Sequence, residues 1–187
     1  MSVRTILFIG KPGSGKETQI RLLKKRTGFK IISIGRCFRI FQKKSGKLAK
    51  AVRHAYKTGS LEPSWLADYC MSSGFVETND RTGIIFDGAG RTLLEAKLFD
   101  KLSHWSDRKY AVMYLDITDK EAMQRQLDRK RNDSDSKKKI RVRLIEFTRH
   151  TKPAVKYFKQ KRVLIPIPAE GAIEKIHAHI LRKLKKK

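Results

Sequence analysis

Residues 10–19, Gly-Lys-Pro-Gly-Ser-Gly-Lys-Glu-Thr-Gln, follow directly on the apolar run Ile6-Leu7-Phe8-Ile9. Gly10 ends that run. Gly13 and Gly15, with Ser14 between them, let the main chain wrap closely around an anion with its N–H groups turned inward, and Lys16 then reaches the outer phosphates from the first turn of the following helix. A Gly-x-x-x-x-Gly-Lys pattern placed after a strand and before a helix predicts a site for nucleotide phosphates. Glu17 stands where most such loops carry the hydroxyl that holds Mg²⁺, and Thr18 follows one position later. Glu17 either points to solvent, which its place in the first helical turn favours, or repels the nucleotide; solvent is the expectation.

A loop of this kind works only between a strand and a helix of a larger sheet. Short apolar runs at Val3–Ile9, Lys30–Ile34, Gly83–Phe86, Ala111–Leu115 and Val163–Ile167 read as strands. Segments of helical period lie between them, at Gly15–Lys25, Thr92–Leu102, Asp119–Arg129 and Ala169–Lys183, the third entered through Thr118 as cap. This alternation predicts an α/β fold, a five-stranded parallel sheet of the P-loop NTPase type with helices on both faces. Gly35–Ser73 is too long for a simple crossover and reads as further helices that cover a ligand.

At 187 residues the chain suits one domain. No apolar run approaches the roughly 18 residues of a spanning helix, and no signal-peptide pattern opens the chain, so a cytoplasmic location is expected. Cys37 and Cys70 lack paired spacing and read as free, buried thiols. His177 and His179, two apart on a helix, point to different faces and are not expected to pair on a metal. Trp65 and Trp105 read as packing residues. The formal charge of +26 attracts polyanions in general and leaves open an RNA or membrane partner.

From the loop onward the chain resembles adenylate kinase and its nucleoside monophosphate kinase relatives, whose loop reads Gly-x-Pro-Gly-Ser-Gly-Lys-Gly-Thr-Gln. "IISIGRCFR" resembles the family's second strand and the opening of its monophosphate-binding helices, and "TGSLEPSWLADYCM" its Gly-x-x-Val-Pro-Asp segment, with Pro63 in register. "IIFDGAGRTLLEAKLFD" resembles Asp-Gly-Phe-Pro-Arg-Thr-x-x-Gln-Ala, and the stretch from Arg125 to Phe158 the lid and the long helix after it.

The resemblance implies an ATP-dependent nucleoside monophosphate kinase: one domain with a monophosphate-binding insert at about 35–73 and a very short lid at about 130–138. Lys16 and the loop from Gly13 to Thr18 would hold ATP. Thr18 would contact phosphate or the outer metal shell, and Asp87 would organise Mg²⁺. Arg39 and Arg91 would hold the acceptor phosphate, with Ile34, Gly88 and Glu95 around the acceptor nucleoside. Arg125, Arg129, Arg131 and Arg143 would close over the transferring group. In-line phosphoryl transfer gathers negative charge and needs positioning and cations rather than a protein nucleophile, which accounts for the arginines.

Four departures concentrate on the acceptor side. Arg36 replaces an aspartate near the metal waters, Ile34 a threonine beside the base, Ala89-Gly90 a Phe-Pro pair, and Glu95 the glutamine that reads adenine. An ionised glutamate only accepts hydrogen bonds, so it suits guanine or cytosine better than adenine's mixed edge. AMP is the first expectation for the acceptor, with GMP or CMP as alternatives. The rival class is a non-catalytic, nucleotide-responsive RNA- or ribosome-binding protein. A monomer is expected.

Overall fold

The computed structural model describes residues 3–61, 63–128 and 137–185. Its centre is a parallel sheet of β1 (Thr5–Gly10), β2 (Lys30–Ser33), β3 (Ile84–Asp87), β4 (Tyr110–Asp116) and β5 (Leu164–Pro168), in the order β2-β3-β1-β4-β5. Each expected strand is present, its ends shifted by at most two residues. Pro166 and Pro168 are tolerated because β5 is an edge strand.

The pleat of β1 divides the core in two. Ile6 and Phe8 point to the face covered by α1 (Lys16–Thr27) and α9 (Ile173–Lys185), with Ile20, Leu23, Ile176 and Ile180 packed on them. Leu7 and Ile9 point to the other face, beneath α4 (Ser64–Val76), α5 (Leu93–Trp105) and α8 (Lys152–Gln160). There Phe75, Phe86, Phe99 and Phe158 pack ring on ring with centroids 4.8 to 6.4 Å apart. Asp100 of α5 ties the helices on this face to the sheet: it accepts from the Tyr110 hydroxyl at 2.7 Å and the Tyr157 hydroxyl at 2.6 Å, and pairs with Lys161 at 2.9 Å. Burial alone would raise its pKa, but these partners outweigh it and hold the carboxyl below its ordinary value.

Between β2 and β3 run α2 (Ile34–Gln42), α3 (Lys47–Thr58) and α4, and after β4 come α6 (Asp119–Asp128) and α7 (Lys137–Glu146). Thr118 caps α6 as expected, its hydroxyl accepting from Glu121 N–H at 3.2 Å. The last helix starts at Ile173, later than its apolar period implies, because Gly171 takes a φ of +106° in the loop before it. A π-helical turn, Phe147–Thr151, joins α7 to α8; Pro153 in the first turn of α8 has no N–H to give the helical ladder there.

Two expectations about this scaffold are overturned. Cys37 and Cys70 are not free thiols: they form a disulfide between α2 and α4, with Cα atoms 6.3 Å apart. Their separation of 33 residues hides the pairing in the sequence, since only the packing of α2 on α4 brings them together. Nor does Trp105 pack as expected, whereas Trp65 does. Trp65 is 43% exposed and packs edge-to-face with Phe41, ring centroids 6.0 Å apart, while Trp105, at the end of α5, is 74% exposed.

Candidate functional site

A cleft of about 330 Å³ opens at the carboxyl end of the sheet, where β1 and β3 hand over to the loop and to the β3–α5 turn. This size suits a small ligand. Its floor is the loop after β1. The loop is fixed by its own main chain, with Ser14 N–H donating to Lys11 C=O at 3.1 Å, and by Lys11, whose ammonium donates to Ile117 C=O at 2.6 Å and pairs with Asp119 at 2.7 Å. Glycine is required at 13: φ is +84°, and a Cβ would lie 2.9 Å from the carbonyl oxygen of Ala122 in α6. Lys16 folds back over the loop, its Nζ donating to the carbonyls of Gly10 (2.7 Å) and Lys11 (3.0 Å) and to Ser14 Oγ (3.3 Å). The ammonium therefore stands at the centre of the anion cradle, at the start of α1. Glu17 is exposed, as expected, although it lies at the mouth of the same cleft.

The opposite wall comes from α2, α3 and the β3–α5 turn. Gly35, Phe38, Arg39 and Gln42 recur at helical spacing and turn one face of α2 into the cleft; Ala55, Tyr56 and Gly59 do the same from α3. Arg91 reaches the cleft because Gly88 has no side chain: a Cβ at 88, where φ is +84°, would stand 2.9 Å from its guanidinium. Asp87, at the end of β3, accepts from Ser33 Oγ at 3.4 Å and lines the cleft near the loop. The Ala89-Gly90 replacement is accommodated with Ala89 buried, while Gly90 adopts a φ of +66° against Leu7 and Phe158, a conformation proline cannot take.

From the far side, α7 and the π-helical turn add Arg143, Glu146, Phe147 and Thr151. Arg143 approaches Gln126 Oε1 at 3.5 Å and joins Lys16, Arg39 and Arg91 around the same space. The insert and α7 touch directly. Lys139 lies over the Tyr56 ring at 4.7 Å, Leu61 N–H donates to Glu146 at 3.4 Å, and a Cβ on Gly59 would meet Lys139 at 2.9 Å.

Three expected site residues stand elsewhere. Arg125 is held by Glu121 at 2.6 Å and by Ala169 C=O at 3.0 Å, and lines a second depression behind the loop together with Thr18, Gly13, Ser14 and Gly15. It is thus on the donor side, apart from Arg91 and Arg143. Ile34 is wholly buried in the core and does not line the cleft. Glu95 is 4% exposed and is taken up by the start of α5: its carboxylate accepts from Arg91 N–H at 2.8 Å and from the Thr92 hydroxyl at 3.3 Å, while Thr92 Oγ1 accepts from Glu95 N–H at 3.2 Å. Burial raises its pKa, with those hydrogen bonds and the Arg91 charge opposing. This is a variant of the capping box in which Glu95 reaches one residue past the cap, to Arg91 N–H, and its sequence signal, Thr-x-x-Glu before an apolar run, was present to be read. Arg129 and Arg131, and most of the expected lid, lie outside the described residues. Gln42, Tyr56, Ser60, Glu146 and Thr151 line the cleft without any sequence signal, because only the packing of α2, α3 and α7 brings them there.

The donor set suits Mg²⁺ held through a nucleotide. Among the described residues no group of three or more His, Cys, Asp or Glu side chains is placed to cage a metal. Asp87 lines the cleft together with the loop, and Mg²⁺ is usually kept by one or two carboxylates, with substrate phosphates and water completing an octahedron.

Comparison with known proteins agrees with this geometry. Residues 8–163 match the family model for adenylate kinase. The chain is 32% identical to the adenylate kinase of Flavobacterium johnsoniae over 91% of this chain and 93% of that protein. For the adenylate kinase of Porphyromonas gingivalis the identity is 33%, over 94% and 92%, and for that of Corynebacterium urealyticum 30%, over 97% and 99%. The chain therefore belongs to the adenylate kinase family, the ATP- and Mg²⁺-dependent nucleoside monophosphate kinases.

Proposed function

We propose that this enzyme transfers the terminal phosphoryl group of ATP to AMP, giving two molecules of ADP. The observation that carries the reading is the continuity of one cleft from the phosphate cradle at Lys16, past Asp87, to Arg39 and Arg91. Two phosphate-bearing ligands entering from opposite ends would meet between Lys16 and the arginines. Lys16 and the loop N–H groups hold the donor phosphates, and Arg39 and Arg91 fix the acceptor phosphate in line with them. Arg143, with Arg129 and Arg131, neutralises the charge on the equatorial oxygens, which grows toward the transition state. Arg125 braces the donor nucleotide from behind the loop, a role its partners Glu121 and Ala169 support better than closure over the transferring group.

Asp87 would hold Mg²⁺ through its water shell, and the ion would supply charge neutralisation at the donor phosphates. Arg36 is exposed, away from that task. Helices α2–α4 form the acceptor-binding subdomain within one domain, read as a monomer. Capture of Glu95 by the α5 cap removes the reason for preferring GMP or CMP. A cytoplasmic location stays part of the reading, although a disulfide is uncommon in a reducing compartment.

The test is product formation from Mg·ATP with AMP, GMP, CMP and UMP, followed by phosphorus NMR beside Lys16→Ala. ADP appearing from AMP alone, and lost in the variant, is the expected result. No diphosphate from any acceptor would overturn the reading.

A further inference from the structure

Two neighbouring helices on one face of the sheet turn apolar stripes away from it. In α4, Trp65, Tyr69, Ser72 and Val76 recur at the spacing of a single helix face. Gly74 lies on the opposite side and rests on the sheet, where a Cβ would meet Ile32 at 2.6 Å and Phe86 at 3.2 Å, so the stripe looks outward. In α5 the same spacing gathers Leu94, Leu98, Lys101 and Trp105, while Phe99 on the inner side packs against the Phe86 ring with centroids 5.1 Å apart. The two helices pack on one another, which sets the stripes side by side. Val76 is 84% exposed and Leu94 72%, and Trp65, Tyr69 and Trp105 are exposed beside them. No residue of α4 or α5 lines the cleft.

The charge of this face is positive. Asp68, the one charged residue of α4, is half-buried, its Oδ1 without a hydrogen-bond partner among the described residues, and burial raises its pKa. In α5, Glu95 is taken up by the cap and Asp100 by Tyr110, Tyr157 and Lys161. Lys97 and Lys101 are exposed. The exposed acids nearest in the chain, Glu77, Asp80 and Asp107, stand beyond the helix ends with Arg81 and Lys109 among them. An aromatic face edged by lysine, on a chain of charge +26, is complementary to a surface that is anionic outside and apolar just beneath. Trp and Tyr settle at the boundary between headgroups and acyl chains, with the ring buried and its polar edge wet, and lysines near anionic headgroups add attraction. A second copy of the chain fits badly, since it would bring +26 against +26. A nucleic acid satisfies the lysines but has no acyl interior for Val76 and Leu94.

We propose that the outward face of α4 and α5 docks the protein on anionic lipid bilayers, with Trp65, Tyr69, Val76, Leu94 and Trp105 in the headgroup boundary and Lys97 and Lys101 on the headgroups. The contact is peripheral, for no helix among the described residues is long and apolar enough to cross a membrane. The cleft opens at the end of the sheet and not through this face, so nucleotides still reach it.

Both tryptophans of the chain lie on this face, so its intrinsic fluorescence reports docking directly and needs no kinase activity. The experiment follows tryptophan emission, acrylamide quenching and co-sedimentation of the full chain with three additions: phosphatidylcholine vesicles, vesicles of phosphatidylcholine and phosphatidylglycerol in equal parts, and heparin as a polyanion without an apolar interior. The mixed vesicles alone are expected to shift emission to the blue and to lower acrylamide quenching by about two-fold or more. The double variants Val76→Ser with Leu94→Ser and Lys97→Glu with Lys101→Glu should each weaken binding to those vesicles by about 10-fold or more. Their melting temperature and lipid-free kinase rate should stay near wild type, because all four side chains are exposed and outside the cleft. Absence of vesicle binding, or unchanged binding in both variants, would overturn the proposal. Co-sedimentation with unaltered emission and quenching would overturn it by placing the contact on another basic surface. The same blue shift with heparin would overturn it in favour of a polyanion such as RNA, and a shift that follows protein concentration without lipid in favour of a second copy.

Discussion

The two halves of the cleft are built by different means. The donor half is made of main chain: a loop contiguous in sequence, shaped by glycines at 10, 13 and 15, with one lysine folded over it. The acceptor half is made of side chains from three separate places, α2, α3 and the β3–α5 turn, and it exists only once those elements have packed. The charge differs as well, for no Asp or Glu occurs between Glu17 and Glu62, so α2 and α3 carry cations without any acid among them. A backbone site tolerates little change, because a replaced glycine moves the anion cradle itself. A side-chain site can be rebuilt one residue at a time while the phosphate grip persists, and apart from Glu17 in the loop that is where this chain's departures from its family fall.

The sharpest way to break this contrast is at its backbone end. Lys16→Ala should lower kcat by about 10³-fold or more, since it removes the one loop cation at the transferring phosphate, while the fold survives. Single-turnover kinetics with Mg·ATP and AMP would read it. Gly13→Ala should cost a comparable factor together with ATP affinity, because both the positive φ and the Ala122 carbonyl oppose a Cβ. Nearly normal ATP binding in Gly13→Ala would show that the donor half is less rigid than its geometry implies.

Arg91→Ala tests the other half, with a smaller and differently distributed effect. Mispositioning of the acceptor phosphate should lower kcat/KM for AMP by about 10²-fold and leave ATP KM close to wild type. Equal damage to ATP and AMP parameters would mean that the two halves are not separable. The bridge between α2 and α4 offers a third probe. Removing a cross-link over 33 residues, by reduction or by Cys70→Ala, should cost about 2–4 kcal/mol of stability, visible as a lowered melting temperature under dithiothreitol. An unchanged melting temperature would mean that the insert does not depend on it.

How far the sequence could be read follows the same division. The strands, the parallel sheet as a class and the loop were legible in local stretches: the apolar runs, their alternation with segments of helical period, and the glycine spacing. Arg39, Arg91 and Asp87 were placed in the cleft by register against a known family. What failed depended on residues far apart in the chain. The Cys37–Cys70 pairing required knowing that α2 packs on α4, and the place of Arg125 required the loop at Ala169. Glu95 is a different kind of miss: its local signal competed with a familiar motif, and the local signal prevailed because an unpaired N–H at a buried helix start is costly.

Glu95 supplies the smallest effect, and one that bears directly on the contrast. Burial raises its pKa above the ordinary glutamate value, so the folded protein keeps a proton that the unfolded chain has already released. Stability contributed by this site therefore falls as pH rises from the ordinary value through the raised one, and is level beyond it. Glu95→Gln keeps an oxygen to accept from Arg91 N–H and removes the charge, so that slope should vanish. Above the window the variant should be at least as stable as wild type, the difference staying within about 1 kcal/mol. Urea unfolding between pH 4 and 8 would measure it. If Glu95 only caps α5, AMP and GMP kinetics should be unmoved by the same substitution. A changed AMP:GMP ratio in Glu95→Gln would instead put base recognition back on the β3–α5 turn, and the acceptor half would then follow its family more closely than the packing of α2 and α3 implies.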